Sequence, residues 1–272
     1  MKRKRISIQI LFASILFAAC QEDELPVVTA EKRLHYYIES YDVDGLGFDP
    51  QTKITYEYNN NGRVSKYTVA SFNPDVGSLE DLRYFAFLYQ HGKVHKILGY
   101  LPGKSTPYVE YSYVYLSDGN VSKITEKNSG TGINSEANFS YNLGDKSIKV
   151  AYTYSNGAGF EYEFFNGSGN IVSDKTTRGS QHCSDGKYTY DQNVNPFNRL
   201  GYVDYLLTNV SVNNKLAESV NYVACAFPSL VPESYVYEYD EIGFPRVITT
   251  HFKSGGAVAK SRKELFYEAA VE

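Results

Sequence analysis

The chain has 272 residues, a formal net charge of −4, 26 tyrosines and no tryptophan. Its acidity argues against a nucleic-acid partner, because cation–phosphate contacts dominate that kind of binding. The length fits one all-β domain as well as two smaller domains.

The first nineteen residues have the pattern of an export signal. A cationic start at residues 1–5 precedes an apolar run of 12 residues and then small residues. The apolar run is too short for a transmembrane helix, which takes about 20 residues. We therefore predict a signal peptide over residues 1–19, and its removal leaves a net charge of −8.

Cys20 indicates the type of signal. Phe17-Ala18-Ala19-Cys20 resembles the lipobox of bacterial lipoproteins, with phenylalanine where leucine is usual, and the resemblance implies lipidation of the Cys20 thiol. The acidic residues 21–24 resemble the surface-export signal of Bacteroidota lipoproteins. An ordinary signal peptide with an incidental cysteine, and a merely solvated tether, stay open as alternatives. We predict residues 20–32 as a flexible acidic tether, an outer-membrane location and membrane contact through the lipid alone.

Residues 33–272 carry the pattern of β-hairpins in one domain. Aromatic residues alternate with polar ones, as in Ile54, Tyr56 and Tyr58 or in Tyr111, Tyr113 and Tyr115. Side chains two apart share one face of a strand, so this alternation predicts half-buried strands. A helix is left open only around residues 196–207.

Turn residues recur with a period of 25 to 30 residues, with glycines at positions 62, 92, 119, 144 and 169. Glycine and asparagine tolerate the positive φ that tight hairpin turns need. A repeat with this period predicts one hairpin per unit, and we count about 16 antiparallel strands of seven to ten residues.

Several of these turns resemble known repeats. The stretch from Tyr58 to Val64 resembles a relaxed YD repeat of Rhs-type shells, and Tyr190-Asp191 and Tyr239-Asp240 keep the Tyr-Asp pair. YTYDQNVNPF (188–197) and YEYDEIGFPRVI (237–248) are similar to a Bacteroidota lipoprotein family of unknown function with a porin-like fold. The resemblance covers roughly residues 33–267. It implies a large antiparallel barrel or curled sheet and no particular activity.

The pattern does not favour a membrane-spanning barrel. Such a barrel presents a continuous apolar band to lipid. Here the apolar face is mostly tyrosine, and the opposite face carries charged residues such as Lys53, Glu57 and Glu161. Because 16 strands enclose more space than eight, we expect a soluble barrel that is flattened or partly filled by side chains.

The residues after the turns predict a bulge. Val64 and Tyr67, Val94 and Ile97, and Val121 and Ile124 are each three residues apart, which on a regular strand places the partners on opposite faces. A bulge returns the second residue to the core and adds twist. We predict bulges at Ser65-Lys66, His95-Lys96 and Ser122-Lys123.

Cys183 and Cys225 both fall near loops between the repeated units. A disulfide between them stays open, because intervening strands about 4.8 Å apart can hold the two cysteines too far from each other.

Chemical motifs are scarce, and we predict no catalytic, cofactor-binding or metal-binding residues. The P-loop-like stretch at residues 99–105 has too short a glycine spacing and joins two strands. His91 and His95 flank a turn without a third ligand nearby. The acidic pairs Glu161/Glu163 and Asp240/Glu241 are typical of solubilising charges.

Two hypotheses of function remain. The first is a non-catalytic surface lipoprotein that binds a glycan, a protein or a small molecule, or that has a structural role. The second is a glycan-directed hydrolase with two carboxyl groups about 5–10 Å apart in the barrel mouth. A filled interior favours the first, and a hollow one with paired carboxylates favours the second.

Overall fold

In the computed structural model, the described residues are 32–42, 47–73, 75–204, 206–225, 231–254 and 257–270, and they form one closed barrel of sixteen strands. The strands are β1 (Lys32–Asp42), β2 (Asp49–Tyr58), β3 (Val64–Asn73), β4 (Ser78–Gln90), β5 (Lys93–Tyr100), β6 (Val109–Tyr115), β7 (Val121–Asn128), β8 (Ser135–Asn142), β9 (Ser147–Tyr154), β10 (Gly159–Gly167), β11 (Asn170–Arg178), β12 (Gln181–Val194), β13 (Asn213–Tyr222), β14 (Val231–Tyr239), β15 (Pro245–Ser254) and β16 (Ala257–Ala269). The predicted signal peptide and Cys20 lie outside the described residues.

Each strand pairs antiparallel with its neighbours in sequence, and β1 pairs with β16 to close the wall. The predicted all-β fold of about 16 antiparallel strands is therefore confirmed. Several strands exceed the predicted length, since β12 has 14 residues. Around residues 196–207, where the sequence leaves a helix open, the described part of the chain has only a single 3₁₀ turn, Asn198–Leu200. No helix among these residues is long and apolar enough to cross a membrane.

The barrel has two distinct ends. The glycine-containing turns after β2, β4, β6, β8, β10 and β14 lie at one end, here called the tight-turn end. The connections after the odd-numbered strands, such as residues 101–108 after β5, lie at the other, here called the long-loop end. The long connection after β12 begins at the tight-turn end. Gly62 and Gly119 adopt φ of 71° and 98° in their turns, which is why the repeat keeps glycine there.

The two faces of the wall differ in chemistry. The inner face carries the buried side chains, among them Tyr56, Phe85 and Tyr113. The outer face of β2 to β10 carries cross-strand ion pairs: Lys66–Glu57, Lys96–Glu110, Lys123–Glu136 and Lys149–Glu163. On these strands the buried apolar face lies inside the barrel, and the outer face combines ion pairs with exposed apolar residues such as Leu88 and Val114.

The bulges after the turns are confirmed. Tyr58 pairs with Val64 while Glu57 pairs with Lys66, so Ser65 is the additional residue. His95 and Ser122 are the additional residues at the equivalent places in β5 and β7. As a result Ile97 and Ile124 return to the buried face.

In seven pairs of neighbouring strands, the first strand is bulged and a tyrosine hydroxyl of the second donates a hydrogen bond to its backbone. Tyr89 of β4 donates to the carbonyl of Val64 at 2.8 Å, and Tyr115 of β6 donates to that of Val94 at 2.8 Å. The other donors and acceptors are Tyr58 and Leu34, Tyr141 and Val121, Tyr190 and Ile171, Tyr237 and Lys215, and Tyr267 and Pro245. Every acceptor immediately precedes the additional residue of a register shift. A bulge disrupts the ladder locally, and the phenol supplies a donor for the carbonyl beside it.

Strand β9 has neither the bulge nor the tyrosine hydrogen bond. Its pairing with β8 has no register shift through Asn142 and Ser147, and in the described structure no tyrosine hydroxyl of β10 donates to the backbone of β9. In the described strands, this tyrosine hydrogen bond therefore accompanies the bulge, and we call the pair of features a tyrosine clasp.

One junction of the wall has a short ladder. In the described residues, β13 and β14 are paired by Ala217 and Ser234 alone. Side chains reinforce the junction, because Tyr235 donates to Glu218 at 3.0 Å and Tyr237 donates to the backbone of Lys215 at 2.7 Å.

Candidate ligand-binding site

The connection between β12 and β13 enters the barrel, and we call its described residues, 195–204 and 206–212, the plug. The Tyr202 ring centroid lies 5.2 Å from that of Phe87, and the Phe197 ring meets Tyr37 edge-on at 5.6 Å. Tyr113 donates to the Val203 carbonyl at 3.0 Å. The interior is therefore partly filled, by a chain segment as well as by the side chains of the wall.

Polar side chains fix the conformation of the plug. The carboxylate of Asp204 accepts hydrogen bonds from the backbone of Leu206 at 2.8 Å and of Thr208 at 3.1 Å, and from the Thr208 hydroxyl. Asn209 donates to the Tyr202 carbonyl at 2.6 Å. Buried polar groups are costly without partners, so these bonds allow a loop to lie inside a barrel.

A cavity of about 550 Å³ remains between the plug and the wall formed by β2 to β7, and we call it the aromatic cavity. Its volume falls within the range of about 300–1,000 Å³ typical of small-molecule sites. Six rings line it: Tyr67, Phe85, Tyr108, Tyr111, Tyr113 and Tyr202. The Tyr67 and Phe85 rings are stacked, with centroids 4.6 Å apart.

Gly99 of β5 allows the wall to pack closely beside this cavity. A Cβ at Gly99 would lie 2.5 Å from Val109 Cγ1 and 2.8 Å from Phe85 Cε1. The absence of a side chain lets those two cavity-lining residues approach each other across the strand.

The polar part of the lining lies toward the long-loop end. Thr52, Ser71, Arg83, Asn128 and Asp204 contribute to it. Arg83 is exposed and Leu82, also in the lining, is 48% exposed, so the cavity communicates with solvent at this end.

Several hydrogen-bond donors in the aromatic cavity have no acceptor within the described part of the protein. No hydrogen bond is recorded there for the hydroxyls of Tyr67, Tyr108 and Tyr202, and no ion pair for Arg83. Burial, and then the proximity of Asp204, raises the pKa of Tyr202 to about 12. Burial likewise raises the pKa of Tyr67. Both phenols therefore keep their protons near neutral pH and can donate.

A second cavity, of about 270 Å³, lies between the plug and the strands β10 to β13, and we call it the polar cavity. Most of its polar groups bind one another. Ser211 accepts from the backbone of Ile171 at 3.1 Å, and Asn195 donates to the Ser211 carbonyl at 2.9 Å. Lys215 binds Glu218 at 2.9 Å. This network attaches the base of the plug to the wall.

One carboxylate of the polar cavity is unusual. Asp174 accepts a short hydrogen bond from the Tyr188 hydroxyl, and burial raises the pKa of its carboxyl group above the ordinary value. Gly186 leaves the space for this pair, because a Cβ there would meet the Asp174 carboxylate and lie 2.7 Å from the Tyr188 hydroxyl. Glu218 is close enough to contribute to the raised pKa of Asp174.

The acidic and histidine residues singled out from the sequence do not gather into a site. Glu161 and Glu163 lie on the outer face, each 3.7 Å from Lys149. Asp240 accepts from the backbone of Ile242 and Phe244 and so fixes a tight turn. His91 and His95 are exposed at another turn. Residues 99–105 comprise the end of β5 and the first part of its connection to β6.

Cys183 of β12 and Cys225, in the connection after β13, form a disulfide with a Cα separation of 5.4 Å. The bond joins the strand that leads into the plug to the segment that leaves β13. Its ring therefore encloses the whole plug.

The aromatic cavity does not follow from the sequence pattern, because alternation predicts only that the tyrosines of the wall share one face of each strand. The one local signal was the departure from alternation at residues 195–212, which combine Asn, Asp and aromatic residues without strand periodicity.

Comparison with solved structures supports the architecture. The chain is similar to the crystal structure of a porin-like protein from Bacteroides uniformis, with a TM-score of 0.54, 12% identity, and coverage of 88% of this chain and 96% of that one. The fold is porin-like. A porin-like protein from Bacteroides vulgatus is also similar, at a TM-score of 0.41 and 13% identity, with coverage of 87% and 99%. No family model matches the chain, and no curated protein does. At these identities the likeness concerns the fold alone.

Proposed function

We propose that the protein is a non-catalytic binding protein that holds a small ligand in the aromatic cavity. The observation that carries this proposal is a solvent-connected cavity with aromatic walls and donors that lack protein partners. The aromatic walls can bury the apolar part of a ligand, and these donors can orient a ligand that accepts their hydrogen bonds. In the polar cavity the equivalent groups are largely satisfied within the protein.

The binding proposal is tested at the cavity mouth. Thr52 lines the polar end of the aromatic cavity and is only partly buried, so Thr52→Trp should obstruct the cavity without repacking the core. Native mass spectrometry of the protein isolated from its host should find a co-purified small molecule on the wild type, and less of it on Thr52→Trp. Thr153→Trp, at a partly exposed position on β9, is the matched control. Equal small-molecule occupancy of all three proteins would contradict the proposal.

We also propose that the barrel is held at the outer membrane by a lipid on Cys20 and is exposed at the cell surface, as in the Bacteroidota lipoproteins that its sequence resembles. The outward ion pairs support attachment by a lipid rather than insertion of the wall.

Cys20→Ala should move the protein from the membrane to the soluble fraction, because the thiol that carries the lipid is lost. Metabolic labelling with a fatty-acid analogue should mark the wild type alone. Membrane retention of Cys20→Ala would refute the anchor.

A hydrolase is the second candidate, and the raised pKa of Asp174 favours it, since a general acid needs a proton near neutral pH. Glu218 would be the second carboxylate. Its commitment to Lys215 and Tyr235 makes it a poor base. A panel of chromogenic glycosides tests this candidate: turnover that disappears in both Asp174→Asn and Glu218→Gln would replace the binding proposal with an enzymatic one.

A further inference from the structure

The hydrogen-bonding groups of the aromatic cavity that have no partner in the described protein are donors. Tyr67, Arg83, Tyr108 and Tyr202 all line this cavity, so four donor groups face one enclosed space. A guanidinium offers a planar fork of N–H groups that matches a carboxylate in two bonds.

The carboxylates on this side of the interior are already occupied. Asp204 accepts three hydrogen bonds from its own loop. Glu126 follows Ile124 on the inner face of β7 and accepts from Ser135 at 2.9 Å and Asn128 at 3.4 Å. Neither neutralises Arg83 through an ion pair in the described structure, so the guanidinium keeps its binding capacity for a ligand.

Flat apolar surfaces make up the rest of the cavity. The stacked Tyr67 and Phe85 rings present faces, and Tyr108 meets Phe85 edge-on at 6.3 Å. Aromatic side chains stabilise a planar guest by offset stacking and edge contacts.

From this arrangement we infer that the ligand is an aromatic carboxylate, with its carboxylate on Arg83 and the hydroxyls of Tyr67 and Tyr202, and its ring among Phe85, Tyr108 and Tyr111. This assignment rests on the proposed binding function and gives it a chemical class. Tyr202 belongs to the plug, so the ligand contacts the wall and the plug together.

Isothermal titration calorimetry with three probes of the same ring system tests the assignment: 2-naphthoate, 2-naphthalenemethanol and 2-naphthylmethylamine. We expect 2-naphthoate to bind at least about 10-fold more tightly than the alcohol, and the amine to bind most weakly. Arg83→Gln should weaken 2-naphthoate binding by about 10- to 100-fold and leave the alcohol unchanged, because hydrogen bonds to charged groups are worth more than neutral ones.

Arg178→Gln is the matched control. Arg178 is also exposed and lies 5.6 Å from the Phe160 ring, as Arg83 lies 5.9 Å from the Phe85 ring, but it is not part of the aromatic cavity. The Arg178→Gln variant should bind 2-naphthoate as tightly as the wild type does. An equal loss in both arginine variants would indicate general electrostatics and overturn the assignment.

The remaining outcomes separate the two proposals. If the alcohol or the amine binds as tightly as 2-naphthoate and Thr52→Trp abolishes that binding, the cavity is a binding site but the carboxylate class is wrong. If none of the probes binds at millimolar concentration, the aromatic-carboxylate assignment falls, and the co-purified ligand decides the binding proposal separately.

Discussion

The two sides of the barrel interior fill the space enclosed by sixteen strands in different ways. On the side of β2 to β7, here the regular wall, repeated hairpins supply aromatic side chains, bulges and tyrosine clasps, and an open cavity is left. On the side of β10 to β14, here the polar wall, Asp174, Tyr188, Lys215 and Glu218 form a network around a smaller cavity.

The polar groups on the two sides have different roles, in folding on one side and in ligand binding on the other. Polar groups of the polar wall find partners inside the protein and fix the plug, so they stabilise a loop in an unusual place. On the side of the regular wall, Tyr67 of the wall and Tyr202 of the plug keep hydroxyl donors that face a cavity. Sixteen strands enclose more space than their side chains fill, and one inserted loop fills one side more completely than the other.

The disulfide of the polar wall should give the largest effect on stability. Cys183 and Cys225 are 42 residues apart in sequence, and cross-linking a loop of this length stabilises by about 4 kcal/mol in the chain-entropy model. Reduction should lower the free energy of unfolding by that order, as measured by urea denaturation with and without a phosphine reductant. Hydrogen exchange should increase first in the plug and leave the regular wall protected; a uniform increase would contradict the local role.

Two interior glycines allow the walls to be compared directly. Gly186→Ala should cost about 2–4 kcal/mol, because the new methyl group displaces the buried Asp174 carboxylate from Tyr188. Gly99→Ala should cost about 1–3 kcal/mol, because it only overpacks Val109 and Phe85. Urea denaturation of both variants measures the two values. The reverse order would show that the regular wall tolerates an added methyl group less well than the polar wall does.

The pH dependence of stability should come from the polar wall. Burial raises the pKa of Asp174 in the folded protein above its ordinary value of 3.8, so the folded state binds this proton more tightly than the unfolded chain does. That contribution is complete below the unfolded pKa and is lost as pH rises through the folded pKa. Asp174→Asn keeps an acceptor for Tyr188 and removes the titration.

Unfolding free energies of the wild type and Asp174→Asn, measured from pH 4 upward to about pH 7, should therefore diverge in favour of the variant. Asp75→Asn, at an exposed position between β3 and β4, is the control and should follow the wild type. Parallel profiles for Asp174→Asn and the wild type would mean that Asp174 titrates as it does in the unfolded chain.

A single tyrosine clasp should give the smallest effect. Tyr115→Phe removes the 2.8 Å hydrogen bond to the Val94 carbonyl and should cost about 1 kcal/mol. Tyr154→Phe, at a position 36% exposed on the strand without a bulge, should cost nothing measurable. Thermal unfolding of the two variants side by side measures the difference. Equal melting temperatures would show that the clasp has no energetic role.

Much of the wall follows from local sequence. The alternation of Tyr111, Tyr113 and Tyr115, the turn glycines and the spacing of Val121 and Ile124 predict strand, turn and bulge, because each feature depends on residues close together in the chain. Local sequence does not determine the acceptor of the Tyr115 hydroxyl, since it lies 21 residues away and its position depends on strand register. The pairing of Cys183 with Cys225 depends on register in the same way.

The sequence by itself determined the hairpin repeat, the strand number and the face that each side chain occupies, because period and turn chemistry are local properties. Only the tertiary structure decided that β1 closes on β16, that the plug enters the interior and that Arg83 and Tyr202 face one cavity. Closure and insertion depend on the space that sixteen strands enclose and on partners far apart in the chain. No short stretch of sequence contains that information.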